Sequence, residues 1–135
     1  MENAFIQLFD LPDEILIIIF KKLNNVELLY SLMDVNKRLN QILHDPIFTD
    51  RLSLVKVTSN GLAYPLVDAV LDRFCLQIVP EIHNKIKWLS LESLSMERIL
   101  LATDYPNLCG LGLYNMNEKT AMRFFRGNEF DFHFF

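Results

Sequence analysis

The sequence predicts a mixed α+β / α/β chain: an amino-terminal three-helix bundle, then strand–helix units whose parallel strands begin a solenoid. Three observations carry this. Between Leu11 and His44, apolar residues recur at helical spacing, punctuated by helix start and stop signals. The pattern Ile86-x-x-Leu89-x-Leu91 returns as Leu108-x-x-Leu111-x-Leu113, a step of 22 residues. Phe130-x-Phe132-x-Phe134 alternates in the same way, 21 residues beyond Leu111. The division falls at residue 50: residues 1–50 form the bundle and residues 51–135 the units, their last strand lacking the polar cap that closes a solenoid. Such an ending leaves open a fragment of a longer protein.

In chain order, 1–9 is a lead-in whose Phe5, Ile6, Leu8 and Phe9 can pack back on the bundle. Asp10 suits an N-cap, Pro12 tolerates the first turn, and Asp13 and Glu14 suit the positive end of a helix running to about Leu23. On that helix Ile15, Ile19, Leu23, Leu16 and Phe20 share an arc of roughly 140°. Ile17 and Ile18 fall outside it, among Glu14, Lys21 and Lys22. A helix apolar nearly all round needs cover on its second side, and each isoleucine left wet forgoes roughly 1.5–3 kcal/mol. The stretch therefore reads as half of an interface.

Asn24-Asn25 breaks the first helix and caps a second, about Val26 to Met33. Val35-Asn36 turns the corner into a third, Lys37 to His44, with Leu39, Ile42 and Leu43 inward, and Asp45-Pro46 ends the bundle. Leu52–Val57 then reads as one strand and Thr58–Gly61 as a loop. Pro65 opens a helix to about Ile82, which Pro80 kinks or shortens. After the Leu89 strand a helix capped by Ser93 or Ser95 runs to about Asp104, and after the Leu111 strand another runs from Glu118 to Arg126, closed by Gly127.

Composition narrows the function classes. Apolar residues make up 51% and charged residues 22%, which argues against disorder. Net charge is -4, and residues 1–50 hold eight acids against four bases while the remainder is balanced. No basic patch interleaved with aromatics supports nucleic-acid binding. The longest apolar run, Ile15–Phe20, is far short of the roughly 20 residues a bilayer requires. Glu2, Asp10, Asp13 and Glu14 occupy the place of a signal peptide, so the expected setting is cytoplasmic or nuclear, with Cys75 and Cys109 reduced.

The helical residues resemble a known family. Leu11-Pro12-x-Glu14-Ile15-Leu16-x-x-Ile19-Phe20 is similar to the first helix of an F-box; Leu28-Leu29-x-x-Leu32-x-x-Val35-Asn36-Lys37-Arg38-Leu39 and Asp45-Pro46-Ile47-Phe48 are similar to its later segments. Leu39 and Phe48 depart from it, standing where the family has tryptophan, which preserves apolar bulk and leaves adaptor affinity open. The Leu-x-x-Leu-x-Leu step resembles a leucine-rich repeat more loosely. The Asn or Cys that would bond the turn is absent in register, with Leu94 and Met116 in its place and Asn115 one residue early. Together these imply an F-box protein of the leucine-rich-repeat class, a substrate receptor of Skp–cullin–F-box ubiquitin ligases.

On that resemblance, the Skp-type adaptor, and through it the cullin–RING ligase, would meet Leu11, Pro12, Glu14, Ile15, Leu16, Ile19, Phe20, Leu32, Val35 and Leu39. An unidentified target protein would meet side chains between the strand leucines: Lys87, Ser90, Cys109, Gly112 and Tyr114. No enzyme activity, cofactor, metal, nucleic acid or membrane enters this reading. His44, His83 and His133 are far apart, both cysteines sit among apolar neighbours as inert buried thiols, and Gly110 and Gly112 read as close-packing sites rather than a phosphate loop. Lys37 and Arg38 fit either a solvated face or a cross-bundle ion pair. Two other classes compete: a small α/β enzyme, for which no glycine-rich turn is visible, and a repeat scaffold with no ubiquitin role.

Overall fold

The computed structural model describes residues 7–125 and 131–135. Phe5, Ile6, Arg126, Gly127 and Phe130, singled out above, lie outside them. Helices α1 (Asp13–Phe20), α2 (Asn25–Leu32), α3 (Lys37–Leu43) and α4 (Pro46–Thr49) come first. The two asparagine caps form as their chemistry dictates. Asn24 Oδ1 accepts from Val26 N at 2.8 Å and Glu27 N at 3.2 Å, and Asn36 Oδ1 accepts from Leu39 N at 2.8 Å.

Two helix boundaries differ from the expected ones. Asp10 belongs to a 3-10 turn, Leu8–Asp10, and Pro12 occupies the N-cap position of α1. Asp45-Pro46 starts a further helix instead of closing the bundle: Asp45 Oδ1 accepts from Ile47 N at 3.0 Å, and Pro46 fills the first turn. Asp45 is a good N-cap, and that local chemistry overrides the stop signal.

The expected strand over 52–57 divides into β1 (Arg51–Ser53) and β2 (Val55–Val57), which join different sheets. Buried Leu54 marks the break, its N–H reaching Ser90 O at 2.9 Å while the chain turns away. β2 pairs with antiparallel β3 (Ala63–Pro65) across a turn that places Gly61 at φ +85°. Pro65 thus ends a strand and does not open a helix. It sits opposite Val55 in the register, on a short edge strand that tolerates proline.

The helix expected from Pro65 begins instead at Asp68. α5 (Asp68–Arg73) widens into a π-turn, Phe74–Ile78, and continues as α6 (Val79–Ile82). Pro80 has no N–H to offer the preceding turn, and the helix survives it for only half a turn more.

β4 (Trp88–Glu92), α7 (Met96–Ala102), β5 (Gly110–Tyr114), α8 (Glu118–Phe124) and β6 (Asp131–Phe134) complete the chain. The main sheet has order β1-β4-β5-β6, and every pair in it is parallel. Leu52, Leu89, Leu111 and Phe132 stand in register, as do Leu91, Leu113 and Phe134. The 22- and 21-residue steps are therefore the distances between neighbouring strands. Asn115, at φ 59°, reaches Ala63 O at 3.0 Å and the buried Glu92 carboxylate at 3.2 Å, tying the hairpin to the end of the sheet.

One apolar cluster runs from Leu16 and Phe20 through Phe48, Leu52 and Phe74 to Leu113 and Phe125, so bundle and sheet share a core. Polar groups finish the joint. Arg73 donates to Tyr30 O and, at 2.9 Å, to Met33 O, while Lys85 Nζ donates to His44 O at 2.9 Å. Each places a cation on the open carbonyls at a helix C-terminus.

The other sheet face explains both glycines. A Cβ on Gly110 would meet Trp88 Cε3 and Cζ3 at 2.5 Å, and one on Gly112 would meet Ser90 Oγ at 2.9 Å and Phe135 Cε2 at 3.1 Å. They are close-packing sites that let the indole lie across β5. Gly110→Ala should cost about 1–3 kcal/mol in urea unfolding, and much less in a Trp88→Ala background. Equal costs in both backgrounds would remove the indole as the cause.

Candidate docking surface

α1 sorts its apolar residues differently from the expected arc. Leu16 and Phe20 are sealed in the core, Ile17 and Ile19 are half-buried, and Ile15 (42%), Ile18 (55%) and Leu23 (50%) remain exposed. With only eight residues, the helix turns one narrow edge inward. Ile15 and Leu23 therefore leave the inward arc, and Ile17 moves toward it.

Of the ten residues expected at the adaptor, Leu16, Phe20 and Leu39 are turned into this chain's own interior, where Phe20 meets Phe48 edge-on at 6.3 Å. Their direct contact with a partner is corrected accordingly: they hold the surface from beneath. Leu11, Ile19 and Leu32 are half-buried, while Pro12, Glu14, Ile15 and Val35 are exposed. Ile18, Leu8 and Phe9 are exposed apolar side chains that the expected set omitted. The excess of isoleucine on α1 signalled Ile18, but nothing local marked Leu8 and Phe9 as wet.

Arg38 fixes how this surface is presented. Its Nε binds Asp13 Oδ1 at 2.7 Å, and its two terminal nitrogens donate to the carbonyls of Phe9 and Leu11. The cross-bundle ion pair is the one that forms, and it pins the segment leading into α1 against α3. The pair is largely exposed, so its strength lies in the bidentate grip on backbone rather than in charge. Lys37 stays exposed.

A second surface is the glycine-bearing sheet face. Trp88 lies between Arg51, whose guanidinium stands 4.9 Å from the ring centroid, and His133, edge-on at 4.9 Å. Tyr114 stacks on Phe135 at 4.7 Å, and Trp88 Nε1 donates to Ser90 Oγ at 3.0 Å. Of the residues expected to meet a target, Ser90 and Tyr114 stand half-buried here and Gly112 is buried beneath Trp88, Ser90 and Phe135. Lys87 and Cys109 are exposed one residue ahead of their strands. Trp88, Arg51 and His133 were missed, although the glycine pair facing an aromatic one strand away was the available signal.

Two nucleophile-type groups are muted. Cys75 is half-buried, with burial raising its thiol above the ordinary range, whereas Cys109 is exposed, contrary to the expected burial. Burial likewise raises the Tyr105 hydroxyl. Among the described residues, no group of three His, Cys, Asp or Glu side chains could hold a metal ion, and no helix is long and apolar enough to cross a membrane.

Comparison with known families gives the class. Residues 8–54 match the F-box-like family model. The chain carries an F-box-like domain, running from the turn before α1 through β1 to Leu54. No curated protein and no solved structure matches the chain significantly.

Core and surface separate experimentally. Leu16→Ala should cost about 2–5 kcal/mol, as buried leucines do. Ile18→Asp and Val35→Asp should each stay within about 0.5 kcal/mol of the parent in chemical denaturation. A large loss from either aspartate would mean that those side chains are structural.

Proposed function

We propose that this protein is a substrate receptor of a Skp–cullin–F-box ubiquitin ligase. The family match over residues 8–54 carries this reading. The side chains left wet around that domain support it. Ile15, Ile18 and Val35 would enter the adaptor interface, with Leu8, Phe9 and Pro12 at its margin, Glu14 beside them, and Leu11, Ile19 and Leu32 contributing their accessible edges. Burial of three such residues at roughly 1.5–3 kcal/mol each is enough to matter in an association.

The parallel strand–helix units would act as the target-binding half, in the manner of irregular leucine-rich repeats. Their strand-to-strand steps and in-register leucines support this part of the reading. The face built on Trp88, Ser90, Tyr114 and Arg51 has the aromatic and arginine content that dominates binding hot spots, and Lys87 and Cys109 are exposed just ahead of β4 and β5. No residue here performs chemistry in this scheme. The receptor works by proximity, holding a target lysine near a charged conjugating enzyme and raising its effective concentration.

Co-expression with a Skp-type adaptor tests the reading. The parent chain should copurify with the adaptor at one to one. The triple variant Ile15→Asp, Ile18→Asp, Val35→Asp should lose the complex by at least about a hundredfold in affinity while unfolding like the parent. A folded parent chain that ignores the adaptor at micromolar concentration would defeat the assignment.

A further inference from the structure

Pairing within the β2–β3 hairpin fixes which main-chain groups are left over. Thr58 N donates to Leu62 O at 2.8 Å, and hydrogen-bonded pairs alternate along an antiparallel ladder. Lys56 with Tyr64 is therefore a bonded pair, while Val57 with Ala63 and Val55 with Pro65 are not. Pro65 agrees with this phase, having no N–H to give to Val55. The N–H and C=O groups of Val55 and Val57 thus point away from β3. The outer edge of β3 is closed, because Ala63 O accepts from Asn115 Nδ2 at 3.0 Å and Pro65 offers no donor. The hairpin keeps one usable edge, that of β2.

A cleft of about 420 Å³ runs along that edge, within the roughly 300–1,000 Å³ of binding sites in general. Val55, Lys56 and Val57 line it from the strand, Val26 and Tyr30 from α2, and Leu66 and Val70 from the chain after β3. Residues from both faces of β2 line the cleft, so the strand is presented edge-on. Val55, 7% exposed, lies at its inner end, and Val57, 46% exposed, at its mouth. Open main-chain groups beside an apolar wall are what strand addition uses.

Lys56 selects the occupant. It is exposed, stands opposite Tyr64 and forms no ion pair among the described residues. A second copy of this chain paired Val55 against Val57 would set Lys56 against its own counterpart, a repulsive register. The same lysine attracts an acidic side chain at the opposing position. Glu27, the other charged residue of the cleft, stands on the α2 wall and not on the strand. Residues flanking the acid fall on the face of Val55 and Val57, where apolar side chains fit.

We propose that the free edge of β2, facing α2 across this cleft, binds an extended segment of another protein, which adds as a strand and carries an acidic residue between two apolar ones. The site uses none of the residues assigned to the adaptor surface or to the glycine-bearing face.

The test titrates the isotope-labelled full chain with an end-blocked peptide, Thr-Ile-Glu-Val-Thr. Two companion peptides carry Lys in place of Glu, or N-methyl groups on the amides that pair. The Glu peptide should slow hydrogen exchange at the Val55 and Val57 amides, and each companion should bind at least about tenfold more weakly. In Lys56→Glu, an exposed substitution, the order of the Glu and Lys peptides should reverse. No binding by any peptide at about 1 mM, binding indifferent to N-methylation, or an unreversed order would overturn the proposal. So would a dimer in sedimentation that Val57→Pro dissolves, since the edge would then belong to a second copy. No adaptor is present, so the outcome is separate from that of the co-expression.

Discussion

The fold rests on the burial of β1 between the helical bundle and β4. Leu52 packs inward from a strand of three residues whose neighbours on one side are α2 and α4 and on the other the parallel ladder. Neither side can complete its core alone. Leu52 shares one apolar cluster with Leu29 of α2 and Phe48 of α4, and the ladder takes its first strand from the residues that follow α4. The F-box-like match runs through Leu54 and so takes in β1.

Because the core is common, the outward-facing residues stand out. A bundle that buried its apolar side chains only against itself would leave any of several helix faces wet. Here Leu16, Phe20, Leu39 and Phe48 join the shared core, and Ile15, Ile18 and Val35 remain outside. The same logic governs the sheet. Its leucine face is taken by the helices, and its glycine face holds Trp88 flat between Arg51 and His133. Both candidate surfaces are the complements of one packing solution.

How far the sequence foretold this follows from the range of each interaction. Asn24 caps α2 by bonding amides two and three residues away, so its role was readable from local order alone, and Asn36, read only as a corner, caps α3 in the same short-range way. The ladder was readable because a parallel stack repeats its apolar rows at the strand-to-strand step. Leu54 and Pro65 were misread, because what ends β1 is a bond to Ser90 and what holds Pro65 is a partner strand ten residues earlier. Ile15 was grouped on one arc with Leu16 and Phe20 for a related reason: helical periodicity gives the arc but not which edge of it meets a neighbour. The presence of uncovered apolar side chains on the bundle was therefore legible, and which ones they are was not.

Long-range polar contacts were the least legible, and they share a pattern. Arg73 binds the last carbonyls of α2, Lys85 binds the C-cap carbonyl of α3, and Arg38 binds the carbonyls leading into α1. The four carbonyls at a helix C-terminus have no partner within the helix, and a short helix has proportionally more of them. α2 and α3 have eight and seven residues, so roughly half of each helix's carbonyls need help from elsewhere. Cations from the later half supply it for both, each worth about 0.3–1 kcal/mol in such a position. The later half thus stabilises the bundle twice, by covering its core and by capping its helices.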